Sequence, residues 1–452
     1  MCHGDFNGDG LEDVYVGGAK DQAAGVFFQQ SNGSFRQVNS PVFSKDKVSE
    51  DVDCSCFDAD NDGDLDLYVA SGGNEFPSSS SALIDRLYFN NGKGSFTKSK
   101  QIFPSFQFEN TSVVRPSDID NDGDLDLFVG TRAKPFLVGV PVDGYILEND
   151  GGGNFKNLTA EKVSPIKKIG MITDATWADV DQDGSEDLIV VGEWMGIKIF
   201  KNIKGSFKDI SVEMGLDSTS GWWSSISKAD LDGDGDLDFI IGNHGLNSRF
   251  KASVDKPITL YVNDFDQNGS AEPILCTYIG DKSYPLALKH DLVMQLPVLK
   301  KKYVAYESYK DQDVIDIFGT ELIEKSVSSE VYMLESVVLI NQGGSFDIKR
   351  LPRQAQISPV YSIEIQDFDK DGHLDAILGG NFYNAKPEVG RYDASYGTFL
   401  KGDGTGDFNY ITNQSLGLRI DGQVRAITTI KTKQDNLLLI ARNNESLLTF
   451  EY

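Results

Sequence analysis

The residues that could do chemistry in this 452-residue chain are carboxylates held in one spaced pattern. Asp118-Ile-Asp-Asn-Asp-Gly-Asp-Leu-Asp126 puts acids at positions 1, 3, 5 and 9 and glycine at position 6, and the pattern recurs from Asp5, Asp58, Asp179, Asp230, Asp264 and Asp367. Two bare charges 4 Å apart repel by ~4 kcal/mol at an effective dielectric near 20, so such crowding calls for a cation. Calcium suits it best, since Ca²⁺ takes six to eight hard oxygen ligands in flexible geometry, whereas Mg²⁺ demands an octahedron and keeps its waters. The expected side-chain ligands are Asp5, Asn7, Asp9 and Asp13; Asp58, Asp60, Asp62 and Asp66; Asp118, Asp120, Asp122 and Asp126; and Asp179, Asp181, Asp183 and Asp187. They continue with Asp230, Asp232, Asp234 and Asp238; Asp264, Asp266, Asn268 and Glu272; and Asp367, Asp369, Asp371 and Asp375, for up to seven Ca²⁺. Position 7 is Leu11, Asp64, Asp124, Ser185, Asp236, Ser270 and His373, the variety expected if only its carbonyl is used.

Such a loop must be positioned by its flanks. An EF-hand needs a bidentate Glu at position 12 and a following helix, but position 12 is always Val, Ile or Leu, within short apolar runs such as Leu127-Phe-Val129 that read as buried strands. The loop is therefore a β-hairpin turn. Plain solvated Asp/Gly turns would not repeat one ligand grammar seven times. A second hairpin follows most loops, as in Leu87-Tyr-Phe-Asn-Asn-Gly-Lys-Gly-Ser-Phe96 and Ile146-Leu-Glu-Asn-Asp-Gly-Gly-Gly-Asn-Phe155.

Four antiparallel strands every 51 to 61 residues predict an all-β fold, a β-propeller whose blades carry the calcium loops in their A–B hairpins. The blades number seven if the Asp264 loop belongs to the second hairpin of blade five, and eight if it starts its own. Helix-like spacing predicts a short helical insertion over 284–330, within a single propeller spanning 1–452. The tail supplies three strands without a loop, and the first loop lacks its preceding strand, so the fourth strand of the last blade and a leader are expected in N-terminal sequence outside this chain.

The formal charge of −27 comes largely from these loops and disfavours nucleic-acid binding. No run approaches the ~20 apolar residues of a membrane span. Four cysteines are too few for a disulfide framework, and buried free thiols are expected.

The D-x-[DN]-x-D-G-x-x-D loop opening each repeat resembles the FG-GAP (VCBS) repeats of integrin α-chain propellers. Gly192-Glu-Trp-Met195, Gly221-Trp-Trp223, Gly242-Asn-His-Gly-Leu-Asn247, Leu351-Pro-Arg-Gln-Ala-Gln356 and Gly390-Arg-Tyr-Asp-Ala-Ser395 look like the large secreted VCBS-repeat proteins of Bacteroidetes-type bacteria, relatives of cartilage acidic protein. The small ASPIC/UnbV domain that often accompanies them has no counterpart here. The resemblance implies a calcium-stabilised interaction module, secreted or on the outer cell surface.

In a four-stranded blade the B–C loops and D-to-A links share the face opposite the metal turns, and longer loops on one face of a rigid scaffold are candidates for recognition. That face is expected to gather Arg132, Trp194, Trp222, Trp223, His244, Arg249, Arg391 and Tyr392, suited to a glycan or protein ligand. The competing expectation packs these tryptophans between blades and pairs the arginines with acids. No H-E-x-x-H, G-x-S-x-G or P-loop occurs, so no catalytic residues are assigned. The alternatives to a ligand-binding module are a calcium-rigidified scaffold of a longer envelope protein and a polysaccharide-active propeller.

Overall fold

The computed structural model describes residues 1–104, 108–159, 164–387, 389–433 and 435–452. Seven antiparallel sheets follow one another along the chain, the first six with strands A to D in order; five of these are four-stranded and the fourth takes a short fifth strand, Gly221–Trp222. Blade one is Cys2–Gly4, Asp13–Val16, Gly25–Gln29 and Phe35–Val38, and blade two is Glu50–Phe57, Asp66–Gly72, Arg86–Phe89 and Thr97–Lys98. Blade three is Asn110–Ser117, Asp126–Ala133, Gly144–Asn149 and Phe155–Asn157; blade four is Met171–Ala178, Asp187–Met195, Lys198–Ile203 and Ser206–Asp209. Blade five is Ser225–Ala229, Asp238–Gly242, Val337–Asn341 and Phe346–Arg350; blade six is Val360–Gln366, Asp375–Gly380, Thr398–Gly402 and Phe408–Ile411. Blade seven has three strands among the described residues, Val424–Lys431, Asn436–Arg442 and Leu448–Glu451.

The period-2 alternation of a strand explains the ring. On strand B of blade two, Leu67 and Val69 pack toward blade one, while Tyr68 and Ala70 pack toward blade three. On blade four, Leu188 and Val190 face blade three, while Ile189 and Val191 face blade five. Both faces of each central strand are covered, so these segments read as unbroken apolar runs rather than alternating ones. Apolar clusters fill the space between every consecutive pair of blades, and Val14, Ile430 and Leu439 close the circle between blades seven and one. The propeller thus has seven blades.

Two expectations change. The Asp264 loop belongs neither to the second hairpin of blade five nor to an eighth blade. It lies in a separate four-stranded sheet, with Ile258–Asn263 central between Glu272–Ile279 and Val327–Val331 and with Lys282–Pro285 at one edge, inserted between strands B and C of blade five. Helices Lys289–Gln295, Leu299–Lys302, Val314–Phe318 and Thr320–Glu324 cover it, with Leu292, Leu296, Val314 and Ile317 packed on Ile274 and Phe265. The insertion is therefore wider than its helices, and the 34-residue step from Asp230 to Asp264 leads into it rather than to a next blade. The first loop does have a strand before it, since Cys2–Gly4 pairs with Asp13–Val16 in the register Cys2↔Tyr15, short against the eight residues of Glu50–Phe57.

All four cysteines are free; Cys54 and Cys56 both pack into the interface of blades one and two. No helix among the described residues is long and apolar enough to cross a membrane.

Candidate cation loops and a candidate ligand face

The carboxylates first build their own turns. The position 1 acid accepts hydrogen bonds from the backbone N–H groups of positions 5 and 6, at 3.2 and 2.9 Å for Asp58, with the same pair at Asp118, Asp179, Asp264 and Asp367. Position 4 is left-handed in all seven loops, filled by Asn61, Asn121, Gln182, Gln267 and Lys370 (φ 57 to 62°) or by Gly8 and Gly233. That requirement could not be seen from ligand chemistry alone.

The position 9 acid is buried and joins three elements. In the ring loops one oxygen accepts the N–H of position 2, at 2.9 to 3.3 Å. The other accepts a backbone N–H from strand C, given by Gln29, Asn90, Asn149, Asn202, Asn341 or Gly402 at 2.7 to 3.1 Å. The side chain of the same strand C residue then reaches the preceding blade. Nδ2 of Asn90, Asn149, Asn202 and Asn341 donates to the carbonyls of Phe6, Ala59, Ile119 and Val180, at 2.8 to 2.9 Å. Blade one closes against blade seven, which has no metal turn, and there the longer Gln29 reaches Lys431 O at 3.0 Å. In blade six, with glycine at this place, Gly406 N–H caps Leu231 O instead. These amides form a ring of inter-blade locks that the sequence reading missed, although the recurring Asn of the second hairpin was its signal.

Whether a divalent cation fits can be judged from the oxygens left over. One ligand oxygen from each of Asp58, Asp60 and Asp62 lies within 4.8 Å of the others, as do those of Asp118, Asp120 and Asp122; Asp179, Asp181 and Asp187; Asp230, Asp232 and Asp234; and Asp264, Asp266 and Glu272. In four loops a buried carboxylate oxygen has no hydrogen-bond partner: Oδ1 of Asp60, Asp124, Asp236 and Asp266. A buried, unpaired carboxylate is costly, and desolvation together with Asp122 or Asp234 pushes Asp124 and Asp236 up to about 6. The donor set, all oxygen and partner-poor, suits a hard divalent ion. At position 7, Asp124 and Asp236 each bury one of these partnerless oxygens, which the variety of residues at that position did not suggest.

The loops at Asp179 and Asp367 differ. Lys201 Nζ bridges Asp181 and Asp183, at 2.9 Å from the latter, and Lys401 Nζ bridges Asp369 and Asp371, at 2.7 Å from the latter. Hydrogen bonding to these ammonium groups holds Asp183 and Asp371 below the ordinary carboxylate range. In the first loop, Asn7 Nδ2 donates to Asp13 Oδ2 at 3.1 Å.

On the opposite face, the B–C and D-to-A connections of blades four to six bring aromatic rings together. Trp194 ends strand B of blade four in the left-handed region (φ 62°), and Trp222 lies on the link to blade five, in a two-residue strand, Gly221–Trp222, that pairs with the end of Asp187–Met195. Their ring centroids are 5.3 Å apart, edge to face. Trp222 also meets His244 at 5.2 Å and Phe250 at 4.9 Å, and His244 meets Tyr392 of blade six at 4.9 Å. The indole Nε1 of Trp222, Nε2 of His244 and the hydroxyl of Tyr392 are buried without hydrogen-bond partners. Burial holds the His244 imidazole down at about 4, against the opposing pull of Glu193. Part of this aromatic surface is structural, for Trp194, Trp222 and Phe250 pack on Ile258, Val331 and Leu334 and seat the inserted sheet.

The other expected ligand-face residues divide. Trp223 is fully buried between blades four and five, its Nε1 donating to Thr219 O at 2.9 Å, and is a core residue. Arg132 is held by Glu193 through Nε and Nη2, at 3.2 and 2.7 Å. Arg249 lies 5.7 Å from the Phe250 ring and Arg391 5.1 Å from that of Tyr383, both exposed. Neighbouring Glu388 is outside the described residues. Nearer the blade seven–one seam a cavity of about 760 Å³ is lined by Glu50, Asp51, Asp53, Arg425, Arg442 and Glu445 among others. Arg425 stacks on Tyr361 at 4.4 Å. No sequence signal pointed to that cavity, which exists only because the ring closes.

Residues 5–69, 58–129 and 179–241 match the FG-GAP-like repeat, so the chain carries such repeats in blades one to five. Comparison with curated proteins gives no match. Among solved structures the chain is similar to Saccharomyces cerevisiae Sqt1, at 13% identity over 100% of this chain and 98% of that one, with a TM-score of 0.44. It is also similar to the V. cholerae biofilm matrix protein Bap1 (10% identity, 99% and 86% covered, TM-score 0.36) and to an Agrocybe aegerita lectin specific for non-reducing terminal N-acetylglucosamine (15% identity, 88% and 88%, TM-score 0.36). At this level of likeness none of them says what the present chain binds.

Proposed function

We propose that this seven-bladed propeller is a non-catalytic, calcium-binding module of the cell exterior that captures a saccharide on the face opposite its carboxylate loops. The observation that carries the reading is the cluster of Trp222, His244 and Tyr392. Rings from three neighbouring connections meet there, and each leaves one polar atom without a partner. Unsatisfied buried polar groups cost about 1–3 kcal/mol each, a cost that a ligand offering hydroxyls would offset while its apolar face lies against the rings. A neutral imidazole presents one donor and one acceptor, which suits hydroxyls better than a carboxylate. Such a site needs binding and no turnover, and the tightly grouped acids are engaged in the loops.

In the loops, calcium would be held by oxygens of positions 1, 3, 5 and 9. It would supply charge neutralisation where carboxylate oxygens lack partners, and millimolar affinity would suit an extracellular setting. The test is a glycan array followed by calorimetry of the best ligand. Wild type is expected to bind, and Trp222→Ala and Tyr392→Phe to bind less. Binding that survives Trp222→Ala unchanged would move the site elsewhere, and binding confined to proteins would replace the saccharide with a protein partner. Release of shortened oligosaccharides from a bound polysaccharide would overturn the non-catalytic part.

A further inference from the structure

We propose that Lys201 and Lys401 are the resident cations of the loops at Asp179 and Asp367, so that these two loops take no calcium and the chain holds five ions rather than seven. The inference rests on the calcium reading of the other loops. Each lysine projects from strand C at the residue just before the one that caps the position 9 acid, Asn202 in blade four and Gly402 in blade six. Its Nζ sits between the position 3 and position 5 carboxylates of its own blade, where the pattern would otherwise place a metal. The corresponding residues of blades one, two, three and five are Phe28, Phe89, Glu148 and Ile340, none of which can bring a positive charge.

A second observation agrees at position 3, where Asp60 and Asp266 each leave a buried oxygen without a partner while Asp181 and Asp369 are paired with lysine; the Asp5 loop has neither a lysine nor such an oxygen among the described residues. The buried carboxylate oxygens without partners lie in the loops at Asp58, Asp118, Asp230 and Asp264, and none lies in the two lysine loops among the described residues. An ammonium on a flexible stem is a compact point charge with three donors, and two of them are used by the paired acids. It offsets the charge of the position 3 and position 5 acids whatever the calcium concentration outside. The blades so provided are the two that flank blade five and supply Trp194 and Tyr392 to the aromatic cluster, so these two contributions do not depend on calcium, whereas His244 rises from blade five, whose Asp230 loop keeps its ion.

The decisive experiment is metal counting. Protein stripped with a chelator, re-saturated with Ca²⁺ and desalted is analysed for bound calcium per chain, alongside calorimetric titration with Ca²⁺ alone. The assignment predicts five ions for wild type, six for Lys201→Met and for Lys401→Met, and seven for the double variant. Lys201→Arg keeps the charge and is expected to stay at five, which serves as the folded control should a methionine variant fail to fold without metal. The methionine variants should also lose thermal stability in chelator and regain it in calcium. Seven ions in wild type, or no gain on removing the lysines, would overturn this assignment while leaving the calcium reading intact. A wild-type chain that binds no calcium would overturn both.

Discussion

On one face of the ring six turns repeat a single hydrogen-bond scheme, with position 2 to position 9 contacts all between 2.9 and 3.3 Å. On the other face no two connections agree, and one of them, between strands B and C of blade five, carries a whole inserted sheet with its helices. The repeating face is where each blade is locked to the one before it, so any change there is felt by the neighbouring blade. The irregular face is tied between blades as well, as where Val360 N–H donates to Asn243 O and Ser225 Oγ donates to Val360 O, but it also gathers Trp222, His244 and Tyr392 from separate connections. Repetition thus carries stability, and the proposed recognition is placed where the repeat breaks down.

The comparison can be broken most forcefully at a lock. Asn149→Ala leaves the carbonyls of Ala59 and Leu125 without their donor in a buried setting, and should cost about 2–4 kcal/mol of unfolding free energy. Urea denaturation measures this, and ligand affinity of the folded variant should be unchanged. Trp222→Ala should do the reverse at the ligand, with a loss of about 2–3 kcal/mol in binding. It should also loosen the inserted sheet that Trp222 helps to seat, visible as faster amide exchange over Ile258–Asn263. Tyr392→Phe removes only a hydroxyl and should cost about 1 kcal/mol in affinity by calorimetry, while the loss of a buried, partnerless group should raise the melting temperature of the unliganded protein.

A further effect concerns pH. His244 is held near 4 when folded and returns to the ordinary imidazole value when unfolded. Between those values the unfolded chain binds a proton that the folded chain does not, so this contribution to stability is present above about pH 6.5 and fades as pH falls toward 4. Comparing wild type with His244→Gln at pH 7.5 and pH 5 should show the wild type losing more on acidification. Equal losses would mean that the imidazole is not held neutral.

The carboxylate turns and the strands leaving them were legible in the sequence because their chemistry is local: ligands, glycine and apolar run all fall within about a dozen residues. Partners distant in sequence were not. Lys201 lies 20 residues beyond Asp181 and Lys401 lies 32 beyond Asp369, and only the pairing of strands B and C brings them together. Trp222 and Trp223 show another limit. Neighbours on extended backbone point to opposite sides, so one reaches the open face and the other the core, and the sequence does not reveal which. The helices fall within the expected 284–330, but the Asp264 loop was misplaced because it repeats the grammar of the ring while standing in its own sheet.

The central claim is that the repeating turns are cation sites on which the ring depends. Its most direct test is thermal unfolding of chelator-stripped protein in buffer, in millimolar Mg²⁺ and in millimolar Ca²⁺. Because a site filled at a hundred times its dissociation constant contributes ~2.7 kcal/mol, filling several should raise the melting temperature by about 10 °C, in calcium and not in magnesium. An unchanged melting temperature, or an equal rise with magnesium, would contradict the claim.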